Sequence, residues 1–189
     1  MNLRVAAVVV AVGLSAGMAH AEGWNIGSNM GFGVLSPKET GDKFLLFAIP
    51  SSQGPATLTL QPGFRLGTTF ASGQREGYLD LGFNVFNRSG GETATSYQVS
   101  ANLQLNGSSN KPTSTFTNFG VGVAGQSFSD GGRSTNPIIG GGIGVRNRVA
   151  EGHGALRGEL RYDYIFEDAE GFIGGWFLGL KFGFDLYAK

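Results

Sequence analysis

A chain of 189 residues with 14 basic side chains, 14 acidic ones and no cysteine excludes two classes at the outset. Near-neutrality argues against a broad nucleic-acid surface, and without thiols there are neither disulfides nor thiolate-bound metal. Charged residues make up 15%, where soluble domains carry roughly 25%, and glycine fills 33 positions.

In chain order, residues 1–21 read as a cleaved secretory signal peptide. Arg4 supplies the basic start, residues 5–17 the apolar stretch, and Ala19-His20-Ala21 the small-x-small cleavage site. The apolar run falls short of the ~20 residues that a spanning helix needs. Residues 22–189 are then expected to form one domain, and loss of Arg4 leaves it with a slight negative charge.

From Gly23 onward the hydrophobic period is two, which predicts strands with two unlike faces. The expected strands are 23–35, 56–70, 77–88, 95–106, 116–128, 138–150, 154–167 and 172–187. In 77–88, for example, Leu79, Leu81, Phe83 and Val85 alternate with Tyr78, Asp80, Gly82 and Asn84. Eight such segments, each long enough for a tilted spanning strand, fit an all-β, antiparallel up-and-down transmembrane β-barrel. Gly-, Ser-, Asn- and Asp-rich turns separate them, including 71–76 and 151–153. The first gap, 36–55, holds an apolar piece, 44–49, closed by Pro50. It has three possible placements: in the barrel wall, over the mouth, or as the true first strand.

Alternation alone does not say which face points inward, since a soluble lipocalin-like barrel has an apolar interior. The charges decide it. Arg65, Asp80, Arg146, Arg148, Arg157, Glu159, Arg161, Asp163, Lys181 and Asp185 all share the polar parity of their strands. The apolar parity is free of charge within the strands, as contact with lipid demands. Those ten side chains are expected to pair inside the barrel as a lumen charge network, because buried charges must be paired. Glycines on the same parity, such as Gly140, Gly142 and Gly183, leave room for long side chains in a narrow bore. Trp24, Phe70, Tyr164, Phe166 and Phe184 lie near strand ends, where aromatic girdles form.

The segment Gly140-Gly-Gly-Ile-Gly-Val-Arg-Asn-Arg-Val149, followed by Leu156-Arg-Gly-Glu-Leu-Arg-Tyr-Asp-Tyr164, resembles the late strands of the small outer-membrane β-barrel proteins. These are the relatives of the OmpA transmembrane domain and OmpX. The pattern covers the mature chain, and the motif is specific over roughly the last third. Lys181-x-Gly183-x-x-Leu186-x-Ala188 is similar to the family's C-terminal assembly signal, although the chain ends in Lys189 where the family has an aromatic residue. The resemblance does not extend to the family's peptidoglycan-binding module. It implies a bacterial outer-membrane location and a monomer. The implied partners are outer-membrane lipid, periplasmic chaperones and the outer-membrane assembly machinery, with no nucleic acid.

His153 is the one histidine after the signal, and it falls in a predicted periplasmic turn beside Glu151. Barrels that resemble lipid-modifying or proteolytic enzymes place histidine at the outer rim instead. The expectation is therefore a non-enzymatic structural or interaction role, without cofactor or metal. The alternatives are a narrow solute channel, anion-preferring if six basic and four acidic lumen groups set its selectivity, and a rim enzyme acting on lipid.

Overall fold

A computed structural model describes residues 22–38, 43–48, 63–87, 93–108, 111–129, 131, 133–166 and 175–188. The expected signal peptide, 1–21, lies outside the described residues, as do 56–62 of the expected second strand, 172–174 of the expected last strand, and residues 88–92 and 167–171. The strands are β1 (Gly23–Pro37), β2 (Phe44–Ala48), β3 (Gly63–Phe70), β4 (Arg75–Asn87) and β5 (Thr93–Asn106). After them come β6 (Thr113–Phe128), β7 (Arg133–Val149), β8 (Gly154–Ile165) and β9 (Gly175–Ala188). Each pairs antiparallel with its neighbours in the order β2-β1-β3-β4-β5-β6-β7-β8-β9, and β9 closes on β1. Closure removes the free edges that β1 and β9 would have in an open sheet.

The nine strands of the described residues make eight staves, because β2 and β3 share the second one. β3 pairs with β1 from Gly23 to Asn29, and β2 pairs with β1 from Gly31 to Leu35. The apolar piece at 44–48 thus belongs to the wall. It takes the edge of β1 that a second strand beginning at 56 would have covered. Strand ends also move outward from the turns: β4 starts at Arg75, β6 at Thr113 and β7 at Arg133.

The register fixes the bore. From Ile26 the pairing runs through Leu66, Leu79, Ala101, Val121, Ile139, Tyr164 and Trp176, and returns to β1 at Ser36. One circuit therefore climbs ten residues along β1. Eight staves with that shear tilt by about 41° and give a backbone radius of about 8 Å. A tube of that width is filled by its own side chains.

Two hairpins at the end that holds Gly23 and Ala188 use the same turn. Ala71, Ser72 and Gly73 have φ of 54°, 55° and 73°, and Ala150, Glu151 and Gly152 have 51°, 55° and 90°. The amides of Gln74 and His153 close them by donating to the carbonyls of Ala71 and Ala150, each at 3.0 Å. A left-handed turn suits a hairpin because its twist matches that of the strands.

The faces divide opposite to those of a soluble protein. Phe64, Phe83, Phe119 and Ile143 are at least 60% exposed, whereas Arg65, Arg146 and Arg161 are at most 2% exposed. An apolar belt faces outward, and the buried interior is largely polar.

Candidate functional site: the lumen charge network

Inward positions follow parity: odd numbers on β1, β8 and β9, and even numbers on β4, β5, β6 and β7. At the terminus end, five charged side chains from five strands form one alternating chain. Arg146 on β7 pairs with Glu76 on β4, whose other oxygen accepts from Arg65 Nη2 at 2.9 Å. Arg65 Nε lies 3.7 Å from Asp185 Oδ1, and Asp185 is held by both Nε and Nη2 of Arg157. The order is basic, acidic, basic, acidic, basic, so each acid sits between two guanidiniums. Bidentate and charge-assisted contacts of this kind offset part of the desolvation cost of burying ions.

A second group lies further up the bore. Arg161 Nε donates to both oxygens of Asp163, at 2.8 and 2.9 Å, and its Nη1 lies 3.6 Å from Glu159. Asn118 joins them: its Nδ2 donates to Glu159 at 2.6 Å, and its Oδ1 accepts from Arg161 at 3.0 Å. Asn29 extends the first group to Asp80, accepting from Arg157 and donating to Asp80, both at 2.8 Å. Above them, Ala124, Ile138 and Ile165 form a buried apolar cluster. Phe177 is buried beside Asp163 in register, its ring filling the space over Gly33 and Gly179.

The glycines act as seats. A Cβ on Gly140 would overlap the Asp163 carboxylate, one on Gly142 the Glu159 carboxylate, and one on Gly27 that of Asp185. The bore is too narrow for a wall side chain and a charged partner at the same level.

Of the ten residues expected in the lumen, eight are buried: Arg65, Asp80, Arg146, Arg157, Glu159, Arg161, Asp163 and Asp185. Arg148 and Lys181 share their inward parity and are half-buried, Arg148 at the terminus-end rim and Lys181 opposite Glu159. Among the described residues no ion pair reaches Lys181.

Sequence reasoning missed Glu76, which it placed in a turn. Here it joins Arg65 and Arg146 and also accepts from Asn106 Nδ2 at 3.0 Å. Its parity matches that of Tyr78 and Asp80, so extending the alternation by one pair would have found it. With Glu76 included, six basic lumen groups face five acidic ones among the described residues, which weakens the expected anion bias. Phe116, Ile138, Ile165 and Phe177 also turn inward, on the parity read as polar or small. Arg65 lies 3.4 Å from the Tyr78 ring centroid, while its Nε and Nη1 have no hydrogen-bond partner. His153 is exposed in the turn between β7 and β8.

Solved structures match this architecture along nearly the whole of their chains. Neisserial surface protein A aligns with 13% identity and a TM-score of 0.60, covering 86% of this chain and 96% of that one. This chain has the fold of the small outer-membrane β-barrels. A major outer membrane protein from Thermus thermophilus aligns with 14% identity and a TM-score of 0.51, covering 88% of this chain and 98% of that one. No family model and no curated protein sequence matches the chain. Outer-membrane localisation agrees with both the fold and the outward apolar belt.

Proposed function

We propose that this chain is a non-enzymatic outer-membrane barrel, exported by removal of residues 1–21, monomeric, and serving a structural or interaction role through its far-end loops. The observation that carries the closed-lumen part is the chain Arg146–Glu76–Arg65–Asp185–Arg157, which crosses the bore from wall to wall. An ion moving along the axis would have to separate pairs that are already desolvated. It would then pass the apolar cluster of Ala124, Ile138 and Ile165. Both obstacles favour a plug over a pore. The exposed turn position of His153 supports the non-enzymatic side of the reading, since a catalytic histidine would be placed against a partner and a substrate cleft.

A narrow channel is the second reading. It is favoured by the half-buried Lys181 and by Nε and Nη1 of Arg65, which make no hydrogen bond and so offer water groups to bind. Conductance of the purified, folded protein in planar bilayers separates the two. The plug reading expects no steady openings from the wild-type chain. It also expects openings once Glu76→Ala is combined with Ile138→Ala and Ile165→Ala. Steady wild-type openings whose selectivity shifts with Lys181→Gln would replace the plug with the channel.

A further inference from the structure

The outer wall carries a feature that the lumen does not use. Along β6 and β7, near the terminus end, the outward residues pair as Thr117 with Ile143, Thr115 with Val145 and Thr113 with Asn147. Leu105 on β5 and Leu160 on β8 rise on either side, so the small threonines lie at the bottom of a groove of about 650 Å³. Toward the rim the groove changes character. Thr113 Oγ1 donates to Asn147 Oδ1 at 3.3 Å on the exposed surface, and exposed Lys111 lies two residues before Thr113. Arg75, also exposed, stands on β4 directly opposite Leu105. The acid next to it, Glu76, is buried in the lumen.

Beyond the apolar lining of the slot stand the Thr113–Asn147 pair and two exposed cations, Lys111 toward the rim and Arg75 beside the Leu105 wall, chemistry that matches the acyl chain, ester and phosphate of a phospholipid. We propose that the groove holds one anionic glycerophospholipid of the leaflet at the terminus end. Its acyl chain lies over Thr115 and Thr117, and its phosphate sits between Arg75 and Lys111. Lipid tails are as apolar as the belt, so the slot by itself supplies packing and not a hydrophobic driving force. Discrimination comes from the cations. Each basic residue near a membrane surface changes the affinity for anionic lipid about fivefold.

The proposal rests on the membrane reading of the belt. Native mass spectrometry tests it on the intact protein, folded in detergent and incubated with dioleoylphosphatidylglycerol or dioleoylphosphatidylcholine. The expected result is one retained phosphatidylglycerol, held at least tenfold more strongly than phosphatidylcholine. Arg75→Gln with Lys111→Gln should abolish that preference, and Thr117→Trp, which fills the slot, should weaken retention of both lipids. If Thr117→Trp does not fold, Thr115→Leu serves the same purpose. Equal retention of the two lipids by the wild type would overturn the proposal. So would retention unaltered by the charge and slot variants, or a dimer in place of the lipid adduct. Failure of the membrane reading is distinguishable, because the detergent sample would then lack the heat-modifiable folded band.

Discussion

At Glu76 two guanidiniums, the amides of Asn106 and Asn25 and the Tyr187 hydroxyl converge on one carboxylate. Removing its charge leaves Arg65 and Arg146 facing each other without an anion between them. Breaking one side of a buried pair costs roughly 3–5 kcal/mol. Glu76→Gln is expected to lose about that much stability, read as a fall in the urea midpoint of the folded band. A loss under about 1 kcal/mol would mean that water already screens the site. The members of this network were legible in the sequence to different degrees. Arg65, Asp80 and Asp185 sit in clean alternation, so parity alone turned them inward. Glu76 lies in Gly73-Gln74-Arg75-Glu76-Gly77, whose composition reads as a turn, and only the pairing of Arg75 with Phe70 shows that the strand has begun. Alternation along β8 put Arg161 within reach of Glu159 and Asp163, but the pairs across the bore were not legible, because partners such as Arg157 and Asn29 are brought together by barrel closure.

The hairpin turns are the elements where local chemistry and conformation disagree. Ala150 and Glu151 adopt a left-handed conformation that costs an ordinary L-residue roughly 1–2 kcal/mol. Asparagine tolerates it better. Glu151→Asn should therefore raise stability by about 0.5–1 kcal/mol, and Gly152→Ala should lower it by about 1–2 kcal/mol. Urea titrations of both variants check the pair of signs, and the same sign for both would remove the strain account. β2 shows the opposite kind of difficulty. Its five apolar residues carry too little periodicity to declare a partner, and the strand is defined by its pairing with β1. The residues that do alternate, 56–62, invited a longer second strand. Strand pairing depends on positions far apart in sequence, which a local pattern does not encode.

For the whole molecule, the exposed belt decides the solvent. Phe119 stands outward on β6, midway along the wall and more than half exposed. On a soluble protein, replacing such a residue with arginine would be harmless or helpful. In a bilayer, Phe119→Arg should cost roughly 2–4 kcal/mol if the site lies near the midplane. Refolding into lipid vesicles measures this, and a variant that inserts as readily as the wild type would contradict a lipid-facing belt. The climb of ten residues per circuit has a further consequence. Inward and outward residues alternate, so a ring can close without a mismatch only if its total offset is even. A slip of one residue between any two strands cannot be absorbed where it occurs. It must be cancelled elsewhere, or the ring must settle at eight or twelve. Those rings would have radii of about 7.6 Å and about 9 Å. The first would crush the guanidinium chain and the second would pull it apart. The spacing of the charge pairs thus matches the ring of ten and neither of its neighbours.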